Sequence, residues 1–509
     1  MRAALTRLLL ACAPLPLAAC PTSPGRFDPP TLAWRAVPTT EEAGVAFSPV
    51  VVEVHGGDDG TVVTLSLVSS VTTVQTTTAS SRGGVVVFDD LRHDVAETVQ
   101  LRAAFSGPSP EIWTTVQVTA GPAAGLPIAI ASVPDGGGQA NQASDTSWSV
   151  DGPPSISADG RYVAFHSVAT NLVSGGTSGV RTVFVRDVLL GHTTIVSGAP
   201  GGGPSSTGCD APSISANGRY VAFVCDPLGS PQVFVRDRQT GLVERVGYGI
   251  SLALSGNGRH VAYNSFRVPL YDRLTGARGF ADVSSAGVAG NGTTNLWIPA
   301  PALSRTGRFV VFASVASNLA PGDANGGFDY FLHDRDVDEN GVLDEPGEIA
   351  TERVSIAPNG TQMTISSPDR VGISDDGRFV AFAADWKVYL RDRVTEVTSS
   401  VAVNASAWGP TISADGRFVA FASNGNDPLL PPSGMYGQIY VWDRTRGTYA
   451  IVSADASGVL GNGPVTAYFG PAISADGRYV AFVSAASNLV PGDTNGLADV
   501  FVAPNPLYP

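Results

Sequence analysis

The sequence predicts an all-β protein in which a small β-sandwich is followed by a seven-bladed β-propeller. Three observations lead to this prediction: a hairpin phrase that recurs seven times after residue 150, short strands of alternating hydrophobicity before residue 122, and a composition rich in turn residues. The 509 residues include 58 Gly and 37 Pro, and only 15% of them are charged. Bulk disorder is excluded, because 43% of the residues are hydrophobic.

The recurring phrase is exemplified by SISADGRYVAF. Asp-Gly or Asn-Gly supplies the positive φ of a tight hairpin turn, and the aromatic-Val-Ala-Phe run that follows predicts a buried strand. The shortest spacing between turn glycines, Gly377 to Gly416, is 39 residues, which fits four short strands per propeller blade. The seven copies are Ser155–Phe165, Ser213–Phe223, Ala253–Tyr263, Ala302–Phe312, Gly372–Phe382, Thr411–Phe421 and Ala472–Phe482.

A second phrase follows most copies, as in VFVRD at Val183–Asp187 and IYVWD at Ile439–Asp443. It predicts a third strand that ends on a tight turn. Together the two phrases resemble TolB-like, WD-repeat-like β-propeller repeats from residue 126 to residue 509, with Ile-Ser-Ala-Asp-Gly where that family often has Trp-Ser-Pro-Asp-Gly. The resemblance implies a propeller and envelope scaffolding, but the repeat is shared by many unrelated functions.

The ends of the propeller domain, residues 126–509, predict how the ring closes. The last copy stops after its third strand, Ala498–Pro504, whereas residues 126–133 look like a fourth strand that nothing precedes. We therefore expect strand 126–133 to complete the last blade, which leaves seven blades and no open sheet edge.

Residues 34–121 contain about six short runs in which apolar residues alternate, such as Val62–Val68 and Thr98–Phe105. Period-two alternation predicts half-buried strands, and a series of them predicts a β-sandwich. The stretch GGVVVFDDLRHDVAETVQLRAAF resembles bacterial immunoglobulin-like domains, which implies a spacer module. Because this segment has no cysteine, its core would be held by packing alone.

Residues 1–19 have the pattern of an export signal, with Arg2 and Arg7 before a short apolar core. The tetrapeptide Leu17-Ala18-Ala19-Cys20 then resembles the lipobox of bacterial lipoproteins. This resemblance implies cleavage before Cys20, lipidation of its thiol, and a Pro-rich tether over residues 20–33. It also implies an exported protein that is anchored to the cell membrane or outer membrane and faces the periplasm or exterior. The alternative is an ordinary signal peptide with an incidental cysteine.

The net charge of −14 bears on the partner class. Lys387 is the single lysine, and no basic stretch provides a nucleic-acid footprint. We therefore expect no nucleic-acid partner. The partners that we expect from the export signal and the propeller are an envelope protein, and the membrane through the lipid anchor, with a glycan as the alternative.

Cys209 and Cys225 flank the Asn217-Gly218 turn of the second copy. A hairpin at that turn makes them near neighbours across two antiparallel strands, within disulfide reach. Because an exported protein folds in an oxidising compartment, we predict a structural disulfide. The alternative is a pair of buried thiols that never join.

The acidic segment DRDVDENGVLDE begins at Asp334. Its alternating carboxylates and central glycine match the start of a calcium loop, although Gly347 stands where the bidentate Glu belongs. The predicted ligands of a Ca²⁺ that braces the hairpin are Asp334, Asp336, Asp338, Asn340 and Asp344. The alternative is a solvated acidic loop. The segments Pro321–Asp329 and Pro491–Asp499 share a second Asp/Asn/Gly pattern, which usually makes turns.

The repeated Arg and Asp of the hairpin phrase are expected to be structural, because a catalytic site needs asymmetry. We assign them to hydrogen bonds within hairpins and between blades. His166, His260 and His333 fall on predicted second or third strands, away from the central channel. No nucleophile elbow or phosphate-binding loop is present, so we expect a protein that is not an enzyme.

The two faces of the predicted propeller differ in loop length, and long loops on one face of a rigid scaffold are where binding sites are usually built. The loops between second and third strands are long at 166–182, 313–328, 422–438 and 483–498, and they share one face with the connections between blades. Aromatic candidates for a binding face are Trp297, Tyr436, Tyr468 and Phe469. The sequence thus favours a non-catalytic binding or scaffold lipoprotein that engages an envelope protein. The alternatives are a carbohydrate-binding or carbohydrate-active propeller and a calcium-braced surface protein.

Overall fold

The computed structural model describes eight strands between residues 31 and 119, and then residues 128–509 except 136, 145–151, 199–207, 227–229, 293–298, 403–405, 426 and 466–469. The chain divides into two units, Met1–Thr119 and Ala120–Pro509. None of the described residues belongs to a helix that is long and apolar enough to span a membrane. The predicted signal peptide, Cys20 and most of the tether lie outside the described residues.

The first unit contains two β-sheets. One is formed by β1 (Thr31–Ala36), β3 (Val50–His55) and β6 (Val85–Phe88); the other has the order β2 (Thr40–Glu42), β8 (Ile112–Thr119), β7 (Thr98–Phe105), β4 (Val62–Val68) and β5 (Thr73–Ser80). Val63, Leu65 and Ala103 are fully buried, in keeping with the period-two pattern. The structure has eight strands where the pattern predicts about six, and β1 begins inside the predicted tether. An immunoglobulin-like identity for this unit stays a prediction.

The second unit is a ring of seven antiparallel four-stranded sheets, so the predicted all-β, seven-bladed propeller is confirmed. The first strands of neighbouring blades contact one another around the ring and are therefore the inner strands. Blades 1 to 3 comprise β10 (Ser155–Ile156), β11 (Tyr162–Ser167), β12 (Thr182–Asp187), β13 (His192–Ile195); β14 (Cys209–Ile214), β15 (Tyr220–Cys225), β16 (Gln232–Asp237), β17 (Val243–Tyr248); and β18 (Ser251–Leu254), β19 (His260–Asn264), β20 (Pro269–Asp272), β21 (Arg278–Phe280).

Blades 4 to 6 comprise β22 (Ala302–Leu303), β23 (Phe309–Ser314), β24 (Asp329–Asp334), β25 (Ala350–Arg353); β26 (Pro368–Ile373), β27 (Phe379–Ala384), β28 (Lys387–Asp392), β29 (Val397–Ala402); and β30 (Ala407–Ile412), β31 (Phe418–Ser423), β32 (Gln438–Asp443), β33 (Thr448–Ile451). Blade 7 comprises β34 (Ala472–Ile473), β35 (Tyr479–Ser484), β36 (Asp499–Pro504) and the early strand β9 (Ala129–Ile130). The pairing of Ile130 with Phe501 closes the ring.

Three inner strands carry a β-bulge at the same height, in blades 2, 5 and 6. The pairing register shifts between Asp210 and Ser213 in β14, and at equivalent points in β26 and β30. In blade 2 this shift by one residue brings Cys209 directly opposite Cys225, and the two form a disulfide. A bulge also redirects the side chains it contains, which matters for blade 5.

A buried serine holds each hairpin turn. Ser215 Oγ accepts the N–H of Tyr220 at 2.9 Å and donates to Asn217 Oδ1 at 2.9 Å. The same bond to the N–H five residues later is made by Ser157, Ser215, Ser255, Ser304, Ser374, Ser413 and Ser474. The turn therefore presents its glycine in one fixed position in every blade.

Each blade packs an aromatic ring onto the turn glycine of the next blade. Tyr162 of blade 1 lies against Gly218 of blade 2, where a Cβ would come within 3 Å of the ring. The other pairs are Tyr220–Gly258, His260–Gly307, Phe309–Gly377, Phe379–Gly416, Phe418–Gly477 and Tyr479–Gly160. The last pair joins blade 7 to blade 1, so the contact runs unbroken around the ring. His260 stands where the other six blades have Tyr or Phe.

The repeated arginine forms an ion pair within its own blade. The sequence left open whether its hydrogen bonds lie within a hairpin or between blades. Arg219 Nε and Nη2 bind the two carboxylate oxygens of Asp237 at 3.0 and 2.9 Å. Its guanidinium also lies over the ring of Tyr220, 5.0 Å from the centroid, while Arg273 of blade 3 lies over the same ring at 4.3 Å. The ring at this blade interface is thus flanked by two cations.

A belt of hydrogen bonds links the hairpin turns at the ends of the inner strands. The N–H of Ala158 donates to the carbonyl of Ala216, and that of Ala216 donates to Gly256, each at 2.8–2.9 Å. Backbone bonds continue through the other blades, except that Arg305 N–H donates to the carboxylate of Asp375 at 3.1 Å. The N–H of Asp476 returns to Ala158 at 3.1 Å, which completes the belt.

We predict that Gly218→Ala destabilises the protein more than Gly241→Ala. Both glycines are in blade 2 and have φ of 72° and 74°, so both variants incur the left-handed cost of about 1–2 kcal/mol. Only Gly218 faces a ring, because no atom lies within 4 Å of a Cβ built on Gly241. Overpacking against Tyr162 adds about 1–3 kcal/mol. Denaturant titration of both variants measures the difference; equal losses would contradict a role for the blade contact.

We predict that His260→Phe makes the stability less sensitive to acid. Burial, followed by the nearby Arg335, lowers the pKa of His260 to about 4, although Asp272 partly opposes this. The unfolded-state pKa is about 6.5, so this stabilisation is complete above pH 6.5 and is lost as the pH falls toward 4. Between pH 7 and 4.5 the variant should lose less unfolding free energy than the parent, by on the order of 1–3 kcal/mol. Parallel pH profiles of the unfolding free energy for His260→Phe and the parent would refute the assignment.

Candidate functional site

The inner strands enclose a cavity of about 620 Å³ on the propeller axis. One end opens on the face that carries the long loops and the connections between blades, which we name the long-loop face. The wall there includes Pro299–Pro301, Ser367–Arg370 and Gly470. Toward the belt the wall is apolar and is formed by the ends of the inner strands, at Ile214, Leu254, Leu303, Ile373 and Ile412.

The charged side chains among the described cavity-lining residues are those of Asp369 and Arg370. Both lie in the β26 bulge of blade 5, which redirects them relative to a regular strand. Asp369 accepts the N–H of Gly409 at 2.9 Å and that of Arg370 at 2.6 Å, and Arg370 Nη1 donates to the carbonyl of Pro471 at 2.8 Å. Burial raises the pKa of Asp369 and lowers the pKa of Arg370 to about 10.

The buried phenol of Tyr330 fixes this bulge from behind. Its oxygen accepts the N–H of Asp369 at 2.7 Å, and its single proton lies between the carbonyls of Asp369 and Ala383, at oxygen–oxygen distances of 2.7 and 2.9 Å. Burial raises the pKa of Tyr330 well above its usual value, so the hydroxyl stays protonated. The charged pair is therefore held in place by blade 4 as well as by blade 6.

Two tryptophans complete the polar end of the cavity. Trp408, on β30, is 4% exposed, and its Nε1 donates to no acceptor in the described part of the chain. Trp386 is 53% exposed and lies in the two-residue turn between β27 and β28. Its φ is 63°, a conformation that a bulky side chain rarely adopts.

The long loops of blades 1, 4 and 7 are fixed by matched asparagine pairs. Asn291 N–H donates to Asn318 Oδ1 at 2.8 Å, and Asn318 Nδ2 donates to the carbonyl of Ala289 at 2.9 Å. The same contacts join Asn141 to Asn171 and Asn462 to Asn488. These pairs tie the segment that precedes each of these blades to the long loop within it, so this face is preorganised.

The loop of blade 6, residues 424–437, has a different sequence and exposes apolar side chains. Met435 is 88% exposed, and Leu429 is also exposed. Of the four aromatic binding candidates, Tyr436 lies in this loop and is partly buried. Trp297, Tyr468 and Phe469 fall outside the described residues.

The segments Pro321–Asp329 and Pro491–Asp499 fold alike around a buried aspartate. Asp329 accepts hydrogen bonds from Ser355, Asn325 and Gln362 at 2.5–3.0 Å, and burial raises its pKa. Asp499 accepts the equivalent bonds from Ser132 and Asn495 at 2.6 and 2.9 Å. These networks tie each third strand to its neighbours, and they explain the shared spacing of the two segments.

The predicted calcium ligands form ion pairs and hydrogen bonds with other groups of the protein. Asp334 binds Arg308 through both oxygens at 2.8 and 2.9 Å, and Asp344 binds Arg335 in the same way. Asp336 accepts the N–H groups of Asn340 and Gly341, while Asn340 Nδ2 donates to Asp338 at 2.8 Å. No three metal-ligating carboxylate, histidine or cysteine side chains converge within the described residues. Calcium binding at this loop stays a prediction.

The cavity residues were not among the sequence candidates, although a signal for them exists. The inner strand of blade 5 reads SPDRVGIS, where blade 7 reads YFGPAIS, so one copy carries two charges that its counterpart lacks. The Asp385-Trp386 pair lacks the glycine that marks a tight turn, which hides the turn and its exposed indole. Departures from the repeat, rather than the repeat itself, mark this site.

No family model and no curated protein matches the sequence. Among solved structures, the chain is similar to the β-propeller domain of the trilobed protease from Pyrococcus furiosus, with 12% identity and a TM-score of 0.43 over 72% of this chain and 94% of that one. It is also similar to the RRP9 WD40 repeats, with 12% identity and a TM-score of 0.42 over 74% of this chain and 97% of that one. TolB from Acinetobacter baumannii has 12% identity and a TM-score of 0.33 over 81% of this chain and 77% of that one. TolB and WD40 propellers are thus structural neighbours, and the likeness is one of fold alone.

Proposed function

We propose that this protein is a lipid-anchored envelope protein whose propeller is a non-catalytic binding or scaffold module. Its long-loop face would engage an envelope protein, and the anchor at Cys20 would hold it at the cell membrane or outer membrane. The lipobox-like tetrapeptide supports the anchor, and the one-sided distribution of long loops supports the binding face.

The observation that carries the proposal is that the blade 6 loop exposes apolar side chains on the same face as long loops that are fixed by hydrogen bonds. Asparagine pairs fix the long loops of blades 1, 4 and 7, so little entropy is lost when a partner docks on them. Met435 and Leu429 add exposed apolar surface on the same face. Methionine adapts its shape to a partner, which suits a protein interface.

The cavity supports binding rather than hydrolysis. Asp369 is the single carboxylate among its described lining residues. Glycoside hydrolysis generally uses two carboxyl groups that flank the scissile bond. The carbohydrate-active alternative therefore receives less support than a binding role.

Crosslinking in cells, followed by mass spectrometry, tests the proposed face. In a Leu429→Ser/Met435→Ser variant, we expect recovery of the dominant partner to fall at least tenfold, because the exposed apolar contact is removed. The matched control is Leu274→Ser/Val394→Ser, which changes exposed apolar residues on turns of the opposite face. Equal recovery from all three proteins, or background capture alone, would contradict the proposal.

Detergent-phase partitioning tests the anchor. The parent protein should enter the Triton X-114 phase and incorporate labelled palmitate, whereas Cys20→Ala should do neither, because the acyl chains provide the membrane affinity. Cys12→Ala changes the other cysteine of the N-terminal segment and should behave like the parent. A Cys20→Ala protein that still partitions into detergent would refute lipidation at this residue.

A further inference from the structure

Trp386 has a backbone conformation that its own side chain disfavours. Asp385 and Trp386 have φ of 49° and 63°, values that Asn-Gly adopts readily in such a turn. The turn is held from two sides: Ser366 N–H donates to Asp385 Oδ1 at 3.1 Å, and Ala407 N–H donates to the Trp386 carbonyl at 2.9 Å. The surrounding structure thus maintains an exposed indole at a strained position, an arrangement that is common at ligand sites.

The charged groups that line the same cavity as Trp386 have no net charge. Asp369 and Arg370 contribute one charge of each sign, and they are the charged groups of the described cavity lining. Trp408 adds a buried N–H donor that has no acceptor in the described residues.

These groups match the chemistry of a neutral sugar. A sugar ring has an apolar C–H face that stacks on an indole, and its hydroxyls both donate and accept hydrogen bonds. Asp369 offers acceptor oxygens, whereas Arg370 offers N–H donors. A proline-rich peptide also stacks on tryptophan but has few N–H groups to donate to Asp369. An acidic sugar would need a free cation, and Arg370 lies beside Asp369 and already bonds Pro471.

We propose that the cavity mouth on the long-loop face binds a neutral saccharide, with a sugar ring stacked on Trp386 and its hydroxyls bonded to Asp369 and Arg370. The volume of about 620 Å³ lies within the usual range of small-molecule sites, about 300–1,000 Å³. This site is separate from the protein partner proposed above, because Met435 and Leu429 do not line the cavity. Loss of saccharide binding would therefore leave the proposed protein interface intact, and loss of the protein partner would leave the saccharide site intact.

Calorimetric titration of the full-length protein, in a detergent without a sugar headgroup, tests the site. The probes are neutral hexamers of α-1,4-glucose, β-1,4-glucose, β-1,4-xylose and β-1,4-N-acetylglucosamine; a hexamer of galacturonic acid and decaproline serve as contrasts. We expect at least one neutral hexamer to bind, and its binding to change the tryptophan fluorescence. Failure of all four neutral hexamers, or binding of only a contrast probe, would overturn the proposal.

Two variants locate the binding. Trp386→Asn removes the indole and suits the turn, so affinity should fall at least tenfold without a lower unfolding temperature. The matched control is Phe266→Ala, because Phe266 is 71% exposed on the equivalent connection of blade 3 and does not line the cavity. This control should bind like the parent. Equal weakening in the two variants, or unchanged affinity in Trp386→Asn, would overturn the assignment to Trp386.

Discussion

The packing of one aromatic ring onto the next blade's turn glycine is the contact on which the rest of this structure depends. Because Tyr479 packs onto Gly160, the seven contacts close on themselves, and no blade can tilt without disturbing both neighbours. The belt of hydrogen bonds through Ala158 and Ala216 adds a second closed circuit at the same level. Together they fix the inner strands, whose separation defines the axial cavity.

Because the repeated residues are accounted for by packing, functional residues are expected where one blade departs from the repeat. The buried serines, turn glycines and Arg–Asp pairs recur around the ring, and anything that recurs in most blades is explained by packing. Blade 5 departs from the repeat twice, with the Asp369–Arg370 pair and with Trp386 in a tight turn. Both departures line the same cavity, so blade 5 is the blade that makes this cavity asymmetric.

Much of the fold can be predicted from the sequence because its determinants are local. Asp-Gly and Asn-Gly turns with period-two strands determine the hairpins, and the missing fourth strand after Pro504 indicates the closure by Ala129–Ile130. The cavity site is different, because Asp369 reaches it through a β-bulge, and the bulge is a property of strand pairing. Sequence spacing likewise does not reveal that Arg308 and Arg335 occupy the carboxylates of Asp334 and Asp344.

The rigidity of the ring also constrains how the cavity can work. The inner strands that enclose the cavity contact one another around the ring, so the affinity of this site would come from groups that are already in position. Tyr330 holds the Asp369 bulge, and Ala407 holds the Trp386 turn, so both parts of the site are set before a ligand arrives. The strain at Trp386 is then the cost of presenting an exposed indole at the cavity that Asp369 and Arg370 also line.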